Sequence, residues 1–391
     1  MFTSKLIGSL YTYPWALVDE GFDVSLSRIA DLARCAEVLL TPCYHRSEYF
    51  LPHNPKRPVY FGENGAVYFA PDLARYEKTG IRPRVSKEVT DPAYFDRIVD
   101  AIDRRGLKFS AWMVYTFQNY LTEQYPEFAK HDAFGTPYIG QLSTSPADVR
   151  EYFLALTADV VERYRPVAVW VESLMRRGFS MPGKRRVDIP LRCRFLLSLC
   201  FNPASIQCAN ADGMEGERFR REVVDWLRPR LATASVEQQE APVTEQWVAE
   251  AFGGQLQQYL QASCRQATDL WLHVAAVIKG AGAAVQTDLA DSGRALYNDL
   301  DPAINKRIDR LSFSPDAQVD RWRQQVEELK ECIAPGGEVF FRLAGNLEDA
   351  GAVADQVKGA AEAGAGGVTF HGYGLLTERQ LGSIGTALKG L

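Results

Sequence analysis

The 391-residue chain lacks most of the short motifs that announce a cofactor or a metal. No GxGxxG follows its first predicted strand, which removes the usual dinucleotide cradle. It has no HExxH and no HxH, and only five histidines in all. Its seven cysteines (Cys35, Cys43, Cys193, Cys200, Cys208, Cys264 and Cys332) are odd in number, scattered and free of any CxxC pair. Neither a disulfide framework nor a zinc ribbon is therefore expected, and no cofactor is implied. No window approaches 18 uninterrupted apolar residues, so no membrane span is expected. The opening MFTSKLIGSLYTYPW has no long apolar core or small-residue cleavage site, so a cytoplasmic location is the expectation. With 44 Lys+Arg against 49 Asp+Glu the formal net charge is −5, and no long basic run stands out. Nucleic acid is thus a poor candidate partner.

Apolar residues are plentiful, at 46% of the chain, and 24% is charged. That balance excludes disorder and allows a large core. Short β-rich runs alternate with amphipathic helical stretches, the pattern of a parallel sheet covered by helices. Eight runs read as strands: 5–11, 36–43, 108–115, 167–173, 283–288, 308–314, 338–343 and 367–371. Helical patterns at 24–32, 92–105, 147–164, 317–332, 347–363 and 377–391 lie between or after them. Asp19-Glu20 would lead into the first helix at its positive end, and Ser145-Pro146 would cap the third. Eight strands with helices between most of them predict one (β/α)8 TIM barrel spanning residues 1–391. A doubly wound open sheet is the competitor. Two stretches exceed what a barrel needs: a long β2–α2 connection at 45–91, and a helical insertion at 175–282 between strands four and five. The insertion shows helical patterns at 191–199, 216–233 and 244–281. Both follow strands, so both fall on the C-terminal face, where barrel active sites are built.

The fourth strand reads Val167-Ala168-Val169-Trp170-Val171-Glu172-Ser173. Alternation puts Ala168, Trp170 and Glu172 on the face opposite the valines, toward the barrel axis. A glutamate at the C-terminal end of a barrel strand is placed for acid/base or nucleophilic work. The bland alternative is a pairing with Arg176 or Arg177. The fifth strand offers Asp288 as second carboxylate, unless it caps a helix starting near Ser292 or Gly293. Asp19 and Glu20 read more simply as first-turn helix carboxylates. Further strand ends put Thr41, Cys43 and His45 in phase, then Phe340 with Arg342, then Thr369, His371 and Tyr373. Arg342 inside a strand needs a carboxylate or an anionic ligand.

Aromatics gather at the same ends: Tyr11, Tyr13, Trp15, Tyr44, Trp112, Tyr115, Phe117, Trp170 and Tyr373. Rings that stack on C–H faces, mixed with polar groups that meet hydroxyls, suit a carbohydrate, although any single ring is more often core. A metal site would need His45, Glu172, Asp288 and His371 to converge from four strand ends, and no ligand spacing supports it.

Several stretches together resemble a large bacterial family of glycoside-hydrolase-like (β/α)8 barrel proteins. They are YPWALVDEG (13–21), YHRSEYFLPHNP (44–55), VYFGENGAVYFAPDLARYE (59–77), AWMVYTFQN (111–119) and AFG (133–135). SPADVR (145–150), VWVESLMRRGF (169–179), LSLCFNPASIQC (197–208) and AEAGAGGVTFHGYGLL (361–376) continue the series. The resemblance implies a barrel mouth built from Tyr44-His45, Glu172 and Tyr373-Gly374. The chain departs from the family pattern where an FLHN-like strand end reads Thr116-Phe117-Gln118-Asn119. It departs again where an HHEK-like stretch reads Met181-Pro182-Gly183-Lys184, and where Asn202 and Ser205 replace two cysteines of an LCFC-x2-C pattern.

The expectation is a glycosidase-type enzyme acting on a small-molecule or oligosaccharide substrate. Glu172 and Asp288 would be catalytic. Tyr13, Trp15, Tyr44, His45, Trp112, Asn119, Arg342, His371 and Tyr373 would bind substrate, with no metal. Retaining chemistry needs carboxyls about 5–5.5 Å apart and inverting chemistry about 6.5–9.5 Å, which sequence does not choose. The alternatives are a metal-dependent sugar isomerase, epimerase or lyase, and a non-catalytic carbohydrate-binding barrel. A homo-oligomer is compatible with each.

Overall fold

A computed structural model of the chain describes residues 6–45, 48–175, 178–179, 188–234, 242–290, 300–315, 318–343 and 347–391. Its centre is a closed barrel of eight parallel strands. In chain order these are β1 (Ile7–Thr12), β2 (Glu37–Tyr44), β3 (Lys108–Val114) and β4 (Ala168–Glu172). They continue with β5 (Ala284–Thr287), β6 (Arg310–Phe313), β7 (Glu338–Leu343) and β8 (Gly367–Phe370). Each strand pairs in parallel with its sequence neighbour, and β8 returns to β1 with Ile7 opposite Gly367. The fold is therefore the TIM barrel expected from the rhythm of the sequence, and the open sheet is excluded. No Cβ fits at Gly367, where it would lie 2.4 Å from the Phe340 ring, so glycine lets β8 lie against β7.

The helices differ in detail. The chain turns helical at once after β1, as α1 (Pro14–Glu20), with Pro14 supplying the fixed φ of a first turn. Asp19 and Glu20 therefore end this helix instead of leading into the next, α2 (Phe22–Ser27). After α3 (Tyr94–Arg104), α4 (Ala147–Tyr164) has Pro146 itself at the N-cap and no side-chain cap, so Ser145 does not cap it. The left-handed Arg165 stops it.

The β4–β5 connection carries α5 (Leu191–Leu197), α6 (Pro203–Ala211), α7 (Gly216–Ala232) and α8 (Glu245–Glu250). These bury a second core of their own around Phe195, Phe201, Phe219, Val223 and Leu227. The 26-residue α9 (Gln255–Gly280) joins both cores. Leu256 and Tyr259 enter the second, while Leu270, Trp271, Val274 and Ile278 enter the barrel's. The second half of α9 is thus the barrel's own helix, and the excess over a barrel ends within α9. The barrel is completed by α10 (Trp322–Cys332), α11 (Ala350–Glu362) and α12 (Glu378–Lys389). A reciprocal capping box between Thr377 and Gln380 starts the last of these.

The long β2–α3 connection lies over the C-terminal end of the barrel as a small hairpin, Glu48–Phe50 against Val59–Phe61. Among the described residues no helix is long and apolar enough to cross a membrane.

Candidate functional site

A cavity of about 600 Å³ opens where the strands end. Its wall includes Tyr11 from β1, Tyr44 from β2, Trp112 from β3, Trp170 and Glu172 from β4, and Arg342 from β7. Asp288 and His371, just past β5 and β8, complete the polar set.

Glu172 is positioned by its neighbour strand. Register sets Trp112 opposite Trp170, and the Trp112 indole Nε1–H donates to Glu172 Oε2 at 2.5 Å. Trp112 is held in turn by rings on three other strands or strand ends: Tyr11 at 4.7 Å, Tyr44 at 4.9 Å and His371 at 5.8 Å between centroids. A donor fixed this firmly orients the carboxylate.

Asp288 meets Arg342 end-on, with Nη2 at 3.0 Å from Oδ1 and Nη1 at 3.3 Å from Oδ2. This answers the need that an arginine inside a strand creates. The guanidinium also lies 5.4 Å from the Trp170 ring centroid. Tyr11 is buried among these charges. Burial raises its pKa well above the ordinary value, Glu172 and Asp288 add to the rise, and Arg342 opposes it. The hydroxyl stays protonated and available as a donor. Burial likewise lowers the pKa of His371.

Of the residues expected to bind substrate, Tyr44, Trp112, Arg342 and His371 reach the cavity wall. Tyr13, Trp15, His45, Asn119 and Tyr373 do not. Tyr13 and Trp15 are fully buried one layer behind, stacked at 4.7 Å, with Trp15 in turn 4.5 Å from Tyr60 of the hairpin. Tyr13 shares hydroxyl hydrogen bonds with Tyr49 and Tyr44, so its polar atom serves the packing. His45 stacks on Tyr44 at 4.2 Å and against Phe117 at 4.4 Å. Asn119 begins a short helix, Asn119–Gln124, close to Gly140. Tyr373 is fully buried and donates to Glu20 Oε2 at 2.7 Å. Glu20 also takes a 2.7 Å ion pair from Arg28, while Asp19 accepts from Arg57 and Asn54 of the long connection. These two carboxylates anchor loops instead of reaching the mouth.

Tyr11 and Trp170, expected among the aromatics at the strand ends, also line the wall, as does Thr369, expected in phase with His371. Thr287 and Ser314 join it without having been singled out.

No group of three or more His, Cys, Asp or Glu side chains among the described residues is arranged to hold a metal ion. The convergence that a metal-dependent isomerase would need is not formed by His45, Glu172, Asp288 and His371. Arg176, Arg177, Met181–Lys184, Ser292 and Gly293 lie outside the described residues.

No protein-family model and no curated protein matches the chain by sequence. Solved structures do match in fold. Alpha-L-fucosidase isoenzyme 2 from Paenibacillus thiaminolyticus superposes with a TM-score of 0.55 at 11% identity, over 99% of this chain and 49% of that one. The catalytic domain of a beta-amylase from Paenibacillus polymyxa gives 0.52 at 10%, over 96% of this chain and 95% of that one. A beta-galactosidase from Marinomonas ef1 gives 0.53 at 10%, over 98% and 59%. The chain thus spans about half the length of the fucosidase. These neighbours are glycoside hydrolases, and at such identities the likeness shows a shared barrel architecture.

Proposed function

We propose that this barrel is a glycoside-hydrolase-type enzyme that cleaves a carbohydrate or glycoside with Glu172 as its central acid/base group. The observation that carries the reading is the cavity itself. Glu172, fixed by the Trp112 N–H, shares an aromatic-walled chamber at the strand ends with an Arg342-held Asp288. Tyr44, Trp112 and Trp170 offer rings to the C–H faces of a sugar. Glu172 would give its proton to the leaving oxygen. Asp288, paired with Arg342, would stabilise the positive charge that develops on the sugar ring.

The test is Glu172→Gln, which keeps the shape and removes the ionisable group. On any aryl glycoside that the wild type cleaves, turnover is expected to fall about 10³-fold or more, with the fold and ligand affinity retained. Unchanged turnover removes Glu172 from this role. A non-catalytic carbohydrate-binding barrel is the second reading, favoured by the commitment of Asp288 to Arg342. It predicts sugar binding by the wild type, read by Trp112 and Trp170 fluorescence, without cleavage of any glycoside.

A further inference from the structure

The five histidines divide sharply by what their ring nitrogens meet. His53 Nδ1 lies 3.1 Å from Glu20 and Nε2 3.3 Å from the Tyr373 carbonyl oxygen. His131 Nε2 lies 2.9 Å from the Pro126 carbonyl oxygen, and His273 Nδ1 2.9 Å from that of Asp269. His45 is sandwiched between Tyr44 and Phe117. His371 has ring contacts, with Tyr11 at 5.3 Å and Trp112 at 5.8 Å, and no hydrogen-bond partner among the described residues. The ring packs among these neighbours, and the part of the side chain left exposed faces the cavity.

The reaction read from this cavity leaves one proton without a destination. Asp288 turns both carboxylate oxygens to the Arg342 guanidinium, which leaves it less available to take a proton from water. We propose that His371 is a catalytic residue of this cavity, the base that takes the proton of the attacking water in a single-displacement, inverting hydrolysis. The proposal rests on the glycosidase reading above. In the step, the water oxygen bonds to the anomeric carbon as the bond from that carbon to the leaving oxygen breaks. Glu172 gives its proton to the leaving oxygen, and a His371 nitrogen takes one from water. Exchange with solvent then resets both groups, so the sum is glycoside plus water to free sugar plus alcohol.

The surroundings keep the ring ready. Desolvation lowers its pKa, so the neutral form that can accept a proton persists to lower pH than for a free histidine. The other titratable groups on the cavity wall are Tyr11 from β1, Tyr44 from β2, Glu172 from β4, Asp288 after β5 and Arg342 from β7. The sign follows: activity is present above the His371 pKa and lost as falling pH protonates the ring. The acid limb should therefore lie below the ordinary histidine value of about 6.5.

The test has two arms. In the first, the wild-type chain is acylated with diethyl pyrocarbonate across a pH series and mapped by peptide mass spectrometry. His371 is expected to react with a midpoint below about 6.5. Failure of His371 to react while His273 does overturns the proposal. In the second, His371→Asn is expected to lower kcat about 10²-fold or more with KM little changed, and to remove the acid limb from its wild-type pH. An acid limb that stays at its wild-type pH in that variant overturns the role, whatever the loss in rate. If Glu172→Gln keeps full turnover, the glycosidase assignment of Glu172 falls instead, while the acid limb still tests His371. A wild type that cleaves no glycoside overturns both.

Discussion

Two arginine–carboxylate pairs sit inside the same barrel, at opposite ends of its strands. Arg310 opens β6 and meets Glu37, the first residue of β2, at 3.0 and 3.1 Å. Both lie at strand beginnings, on the floor. Their side chains are 14% and 3% exposed, Ser110 donates a further hydrogen bond to Glu37 at 2.7 Å, and Arg310 lies over the Phe340 ring. Arg342 and Asp288 pair at the strand ends through two guanidinium nitrogens, with 32% and 36% of their side chains exposed in the cavity. Depth is the difference. A dry pair can only hold strands together, whereas a wet one can trade its water for a substrate.

The sharpest way to break this contrast is to remove one partner from the floor. Arg310→Met strands the Glu37 carboxylate in the barrel interior and is expected to cost about 3–5 kcal/mol, read by chemical denaturation. Adding Glu37→Gln to that variant should recover most of the loss, because two uncharged groups replace a stranded ion. A single change that costs under about 1 kcal/mol would mean that water reaches the floor as it reaches the mouth.

At the mouth the balance should invert. Asp288→Asn is expected to change stability by less than about 1 kcal/mol, since both partners are already partly solvated. It should lower turnover about 10²-fold, equivalent to about 2.7 kcal/mol of transition-state stabilisation. A large stability loss with normal turnover would make the Asp288–Arg342 pair a second structural clamp.

The same depth argument explains what the sequence revealed. All eight strands were legible, because an apolar run bounded by turn residues carries its own signal. Glu172 was legible too, since alternation holds as long as β4 runs regularly. Parity failed where strands do not run on. The register of β2 against β3 shifts between Leu40 and Cys43, so Tyr44 reaches the cavity instead of the Thr41–Cys43–His45 face. Tyr13 and Trp15 lie beyond β1, at the N-cap and in the first turn of α1. The loop anchors at Asp19 and Glu20 depend on Arg57 and Tyr373, far away in sequence, and no local pattern announces such partners.

Tyr373 gives the smallest and most specific test of that lesson. In phase with Thr369 and His371, it reads as a third residue of the mouth. But β8 ends at Phe370, Gly372 takes a left-handed φ of 80°, and Tyr373–Leu375 coil into a single 3-10 turn. A side chain at Gly372 would be strained in that conformation, and the turn sends Tyr373 inward to Glu20. Burial, with Glu20 adding to it, pushes the Tyr373 pKa well above the ordinary range, so the hydroxyl stays a donor. Tyr373→Phe removes one hydrogen bond to a buried carboxylate that still keeps its Arg28 partner. The expected cost is about 1–2 kcal/mol in stability, with kcat and KM unchanged on whatever glycoside the wild type cleaves. Should KM rise several-fold instead while stability holds, the hydroxyl would belong to the substrate, and strand parity would extend past the glycine after all.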